Sequence, residues 1–281
     1  MKKLIPLALV AVTIMACSLI PAPTTEPPVI EPPVVTEPPV VTEPPVVTEP
    51  PVVNNVTCHQ LSLYLDPALA TGYDCQVVPE SPYEMDMFPE HTELTLLGYP
   101  LADKFFDPHI SIYPVAAYDA LQPGVVSGSV TDLQALVASG SITPFTSSFG
   151  LGLPFLPTFN AAQIFYAKAA VLPFASGGGI RFMTEYAQYT AAVNNHDLFY
   201  TYQGLTTDGQ YWVTVILPIT HPILPVNSDN PPGGMSWEDF SNNYEPYITD
   251  MVNQLNAQPD DSYFPTLTLM DALAGSVTIT P

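Results

Sequence analysis

Basic residues are scarce in this chain, with 5 Lys and Arg against 27 Asp and Glu over 281 residues and a formal net charge of -22. That balance excludes nucleic-acid binding, whose affinity rests on Lys and Arg neutralising phosphates. An anionic membrane surface would repel the chain for the same reason. Cysteine is nearly absent too: there are 3, spaced too far apart for a C-x-x-C redox or zinc site. The nucleophile elbow G-x-S-x-G, the metalloprotease helix H-E-x-x-H and the EF-hand loop are all missing. Nor does any apolar run reach the ~20 residues that a bilayer crossing needs. What is present is apolar and aromatic. Hydrophobic residues make up 47% of the chain, with 15 Tyr, 13 Phe and 2 Trp. That is too rich for a disordered chain, so a packed core exists.

Met1, Lys2 and Lys3 precede an apolar run from Leu4 to Met15, followed by Ala16, Cys17 and Ser18. These are the three regions of a secretory signal. Pro6 interrupts the run, which argues further against a spanning helix. The segment Ile14, Met15, Ala16, Cys17 resembles the lipobox of bacterial lipoproteins, with Ile14 standing where that family usually has Leu. The resemblance implies cleavage after Ala16 and a diacylglycerol thioether on Cys17, an anchor made of lipid alone. Losing residues 1–16 removes Lys2 and Lys3, leaving Lys104, Lys168 and Arg181 as the basic residues of the mature chain.

From Pro21 to Val53 the chain is repetitive, with copies of Thr-Glu-Pro-Pro-Val-Val starting at Thr36, Thr42 and Thr48. Paired prolines fix φ and remove donors, so a disordered or polyproline II tether is expected over residues 17–53. At three residues per turn the repeat makes two turns, which lines Glu37, Glu43 and Glu49 along one edge. At ~3.1 Å per residue the tether spans up to about 110 Å. Spacing a head from the lipid surface is the expected role. Capture of a proline-reading domain and glycans on Thr36, Thr42 and Thr48 are the alternatives.

Residues 54–281 are long enough for one globular domain. With Cys17 acylated, Cys58 and Cys75 remain as a pair, and a disulfide between them is the simplest account outside the cytoplasm. Period-two alternation predicts strands at Leu61 to Leu65, Glu93 to Leu97 and His109 to Tyr113. Short helices are expected at Val115 to Leu121 and Thr131 to Ser139, then a surface loop from Gly140 to Pro157. A meander follows: Gln163 to Leu172, a glycine turn at 176–179, Ile180 to Gln188, and a hairpin of Leu198 to Gly204 and Gln210 to Leu217 closed through Asp208 and Gly209. In the last strand Tyr211, Val213, Val215 and Leu217 share one face, and Trp212, Thr214 and Ile216 the other. Helices must cover the apolar face. Ser236 caps the first, Pro246 breaks it near Asn243, a second part runs to Asn256, and a last helix spans Leu267 to Ala274 before an edge strand at Val277 to Thr280. The expected fold class is α+β, an antiparallel meander sheet covered on one face by C-terminal helices.

The stretch from Gly179 to Ala187, with that from Asn194 to Val213, resembles a group of bacterial lipoproteins without an assigned activity, and the likeness implies no catalytic residue. Antiparallel strands followed by covering helices also resemble Mog1/PsbP-like domains, which implies a binding or assembly module.

Candidate chemistry is sparse. Asn195, His196 and Asp197 hold parts of a triad, but adjacent His and Asp diverge in extended chain, so a polar loop is expected. Glu90, His91, Thr92 and Glu93 gather potential ligands at what reads as a solvated strand entry. His59, His109 and His221 are isolated. For calcium only Glu84 with Asp86, Asp229 with Asn230, and Asp260 with Asp261 are grouped, and no metal or other cofactor is expected. The one suggestive combination is Arg181 with Glu185, Lys168, Tyr186, Tyr202 and Trp212 in a single meander. A cross-strand Lys168–Glu185 ion pair and a ligand site at Arg181 between aromatics are the two readings.

Three functions follow. The first is a monomeric, non-enzymatic binding or assembly module, held on the extracytoplasmic face of a bacterial membrane by its lipid and meeting envelope proteins or a small polar ligand. The second is an envelope hydrolase or metal-dependent enzyme using His91 or His196, which requires those residues to converge with Glu93 and Asp197. The third is a small-ligand receptor around Arg181.

Overall fold

The computed structural model describes residues 55–83, 87–147 and 152–280. The signal segment, the cleavage at Ala16, the lipidation of Cys17 and the proline tract fall outside the described residues, as does the acidic group Glu84 to Asp86.

Strands β1 (Val56–Cys58) and β2 (Leu61–Leu63) pair antiparallel, and β3 (Gly72–Val78), β4 (His91–Leu97) and β5 (His109–Pro114) form a first meander. Helices α1 (Val115–Leu121) and α2 (Val125–Ser139) follow. Then come the short β6 (Ala162–Gln163), the long β7 (Ala167–Phe174) and β8 (Gly177–Thr184), the short β9 (Tyr186–Ala187), and β10 (Phe199–Thr206) with β11 (Tyr211–Pro218). Helices α3 (Trp237–Asn242), α4 (Tyr244–Ala257) and α5 (Leu267–Ser276) precede the final β12 (Thr278–Ile279).

The central sheet has seven strands in the order β3-β4-β5-β11-β10-β8-β7. All of its pairings are antiparallel. The second meander starts at the far edge and works inward until β11 docks on β5, with Val213 opposite Ile112. The expected α+β class, antiparallel sheet and C-terminal helices are all present. Alternation in β11 explains the layering: Val213, Val215 and Leu217 enter one apolar cluster with Ile248, Leu255, Met270 and Leu273 of α4 and α5. Trp212 and Ile216 enter another, with Tyr118 of α1 and Val126 and Leu133 of α2. The sheet is therefore sandwiched, and every residue of β10 is buried.

The second layer departs from expectation. The stretch read as a surface loop includes Phe155 and Leu156, which are buried in the α1/α2 cluster. Leu156 N–H donates to Gln203 Oε1 at 3.0 Å, and Thr214 Oγ1 donates to the Leu156 carbonyl at 2.7 Å. Side-chain acceptors and donors of the sheet thus satisfy a backbone without secondary structure, which is what permits its burial. The glycines expected to turn also differ: Gly177, Gly178 and Gly179 pair with Thr206, Leu205 and Gly204 inside β8. A Cβ on Gly179 would stand 2.4 Å from the Gln203 carbonyl oxygen, so close backbone approach, not turning, requires glycine there.

The covering helices follow their local chemistry. Ser236 Oγ accepts the Asp239 N–H at 3.0 Å, and Asn243 separates α3 from α4. Pro246 then falls in the first turn of α4, where its missing N–H breaks no bond. Helix α5 continues through Gly275 to Ser276, and the Gly275 carbonyl accepts the Ala175 N–H at 3.1 Å. The expected C-terminal edge strand forms as β12, and its partner is β2. Cys58 and Cys75 form a disulfide that ties β1 to the edge strand β3.

Candidate functional site

Lys168, Arg181 and Tyr202 lie on the α4/α5 side of the sheet, but as structure rather than as an open site. Lys168 sits at the β7 irregularity with φ 54°. From there Nζ reaches Asp260 Oδ1 at 2.9 Å and donates to the Gln258 carbonyl at the end of α4. A cation there offsets the negative end of the helix. The expected Lys168–Glu185 pair is thus replaced by Lys168–Asp260, because the irregularity turns the lysine toward the end of α4. Arg181 is only 8% exposed, with Nη2 3.8 Å from Asp260 Oδ2 and Nε 3.6 Å from Asp271 Oδ1. Burial pushes the Asp271 carboxyl up against the pull of Arg181. Tyr200 donates to Asp271 at 3.0 Å and Tyr202 to the Leu172 carbonyl at 2.9 Å. Together these groups clamp the segment after α4 and helix α5 onto the sheet.

The other two residues of the expected site do not join them. Trp212 belongs to the opposite face by alternation, where its Nε1–H donates to Gln203 Oε1 at 2.7 Å. Glu185 lies one residue beyond β8, and its Oε1 accepts the Asn194 N–H at 2.8 Å. The five residues therefore do not form one ligand face.

Glu185 instead meets a cavity of about 480 Å³. Phe105, Phe106, Phe159, Tyr186 and Tyr189 wall it, and Asp197 is the second carboxylate in its lining. The rings belong to a connected cluster. Phe106 lies 5.2 Å from Phe159, Phe159 lies 5.0 Å from Tyr186, and Phe106 packs edge-on to Phe199 at 4.7 Å. Phe105 and Tyr189 are mostly exposed, forming a rim, whereas Glu185 is 1% exposed. Burial first, and the charge of Asp197 in addition, hold the Glu185 carboxyl well above its ordinary value, against the pull of the Asn194 N–H.

Asn194 organises this floor. Its Nδ2 donates to Asp197 Oδ2 at 2.8 Å, and its Oδ1 accepts the N–H groups of His196 at 2.9 Å and Asp197 at 3.1 Å. The segment is a turn, so the expectation that His196 and Asp197 diverge is corrected: His196 Nδ1 and Asp197 Oδ1 are 2.5 Å apart. Asn195 stitches the turn outward, receiving the His221 N–H on Oδ1 at 2.8 Å. Across the rim, Phe105 N–H donates to the His196 carbonyl at 3.0 Å and Lys104 Nζ to the Asn195 carbonyl at 2.7 Å.

The second histidine pair is separate. His91 is buried, not solvated, between Phe88 and Tyr113, with ring centroids 5.1 and 4.4 Å away. Its Nε2 lies 4.0 Å from Glu93 Oε2. The neighbouring His91, opposed by burial and aided by His109 and Gln76, brings the Glu93 carboxyl down to about 2. Among the described residues no hydrogen bond or ion pair joins the His91–Glu93 pair to His196–Asp197. Of the potential metal ligands, Cys58, His59 and Cys75 converge within 4.8 Å, and the disulfide uses both sulfurs. No helix of the described residues is long and apolar enough to cross a membrane.

The cavity escaped sequence reasoning because its aromatic walls come from three distant segments. One signal was available: Phe105, Phe106, Phe155 and Phe159 crowd stretches otherwise marked as loops by Pro, Gly and Asp. The chain matches no family model, and comparisons with curated proteins and with solved structures find no significant match.

Proposed function

We propose that the protein is a lipid-anchored, extracytoplasmic binding module whose ligand enters the aromatic cavity at Glu185. The observation that carries this reading is the cavity itself, about 480 Å³ with aromatic walls and one buried carboxyl, the composition of a small-molecule site. The lipobox-like Ile14 to Cys17 and the proline repeats support anchoring and display away from the surface. The Cys58–Cys75 disulfide supports an oxidising compartment. The receptor reading thereby moves from Arg181, which is buried facing Asp260 and Asp271 at 3.8 and 3.6 Å and lines no part of this cavity, to Glu185.

Metabolic labelling with a radioactive fatty acid tests the anchor: label should enter the wild-type chain and be lost in Cys17→Ala. Binding is tested by screening small molecules for stabilisation of the full-length protein in detergent, with Phe159→Ala as the control that should lose every hit. A hit that survives in Phe159→Ala would place the site elsewhere.

A hydrolase is the second reading, favoured by the 2.5 Å contact of His196 and Asp197 beside the cavity. It predicts turnover of ester or glycoside substrates that His196→Ala abolishes. The separation of His91 and Glu93 from that pair weighs against an enzyme that uses all four.

A further inference from the structure

The cavity is acidic as well as aromatic, and its lining contains no Lys or Arg among the described residues. Of the three basic residues of the described chain, Lys168 and Arg181 face Asp260, away from the cavity, and Lys104, beside the rim, donates to the Asn195 carbonyl and is not part of the lining. Glu185 is nearly fully buried yet only half satisfied. Oε1 has the Asn194 N–H, while Oε2 receives no hydrogen bond among the described residues, and the residue lines the cavity. An anion would meet two carboxyl groups and no cationic side chain. A cation would meet its counter-charge.

We propose that this cavity binds an organic ammonium ion, its charged head placed between Glu185 and Asp197 and its carbon skeleton against Phe106, Phe159 and Tyr186. The inference rests on the binding-module reading and names the ligand class of that site. Three physical effects favour it. Aromatic faces attract cations, more strongly where the site is shielded from water. A buried carboxylate without a counter-ion is unfavourable, and the ligand supplies the counter-ion that no side chain provides. The net charge of -22 enriches cations around the whole chain.

The groups facing Glu185 define how binding responds to pH. Asp197 raises its carboxyl and itself carries His196; from α4, the Tyr244 and Tyr247 hydroxyls feel its charge; Lys104 is held nearby on the Asn195 carbonyl. An empty site keeps Glu185 protonated over a range above its ordinary 4.5. Ammonium binding then expels that proton, and affinity rises with pH by up to about tenfold per unit until Glu185 ionises unaided.

Calorimetric titration of the full-length protein in detergent with n-butylammonium and tetramethylammonium tests this, with glucose as a neutral probe and butyrate as an anionic one. The expected result is binding of both cations, with about one proton released when buffers of different ionisation enthalpy are compared. Glu185→Gln should weaken it at least tenfold at pH 8 and abolish proton release. Should that variant misfold, Phe105→Ala at the exposed rim serves instead, with weaker binding at unchanged melting temperature. Vesicles bearing choline headgroups, set against free choline, distinguish a lipid headgroup from a soluble amine. Glucose binding without cation binding would overturn the ligand class and leave the binding module standing. Butyrate binding would do the same. No binding by any probe, together with a screen without hits, would remove both.

Discussion

Lys168 Nζ and Asp260 Oδ1 stand 2.9 Å apart, joining a left-handed lysine in the edge strand β7 to the turn that follows α4. The lysine side chain is mostly buried and its partner is half-exposed at 48%. Removing the lysine also strips the Gln258 carbonyl of its donor. Lys168→Ala should therefore destabilise the protein by about 1–2 kcal/mol, and Asp260→Asn by about as much, because it weakens the half-exposed pair with Lys168 and also leaves the buried Arg181 facing Asp271 alone. Urea unfolding curves measure both. The double variant separates the two: losses that fail to add would show that the Lys168–Asp260 pair itself carries energy.

Two carboxyls should set opposite limbs of the stability–pH curve. Glu93 falls to about 2 when folded against 4.5 ordinarily, so its contribution is present above 4.5 and is lost as pH drops toward 2. Glu185 is raised above 4.5, so the folded state holds the extra proton and stability declines as pH climbs from 4.5 toward its folded value. Glu93→Gln should flatten the acid limb, and Glu185→Gln should flatten the alkaline limb and stabilise the protein at pH 8. Melting temperatures from pH 3 to 9 check this; an unchanged alkaline limb in Glu185→Gln would refute the assignment.

Reducing the Cys58–Cys75 disulfide should lower stability by roughly 3 kcal/mol, the loop-closure value for a separation of 17 residues. The loss should be local at first. Hydrogen exchange should accelerate in β3, which is otherwise held only by β4, before it does in β10.

Glycine substitutions separate close approach from mere flexibility. Gly179→Ala places a methyl group 2.4 Å from the Gln203 carbonyl oxygen and should cost about 2–4 kcal/mol. Gly128 lies within α2, and a methyl group added there would meet nothing inside 4 Å, so Gly128→Ala should stabilise by about 0.5–1 kcal/mol. Chemical denaturation of the two variants should give opposite signs.

Local chemistry was the legible part of this fold. The alternation of Tyr211 to Leu217, the Ser236 cap and the break before Pro246 depend on neighbours within a few positions, and each stands where expected. The pairing of Cys58 with Cys75 followed from counting. Glycine was ambiguous: Gly177 to Gly179 announce an unusual backbone requirement, but only the opposing strand shows that it is contact rather than turning. Partners far along the chain were illegible. Arg181 finds Asp260 and Asp271, and Glu185 finds Asn194 and the rings of Phe106 and Phe159, through packing that no spacing encodes. Phe155 and Leu156 were hidden for a similar reason, since Gln203 and Thr214 supply the bonds that let an irregular segment be buried.

The seam of the fold has a consequence for biogenesis. β11 pairs with β5, from which the helices α1 and α2 and the other strands of the second meander separate it along the chain, and Tyr64 N–H bonds Ser276 Oγ across 212 positions of chain. Such long-range closure makes folding slow and late. The local hairpins need no distant partner, but the β12 strand on β2 and the α5 contact with Tyr64 can close only once the last residues of the chain are available. Stalled chains ending before Leu267 should accordingly stay open to protease, while chains extended past Thr280 should become resistant.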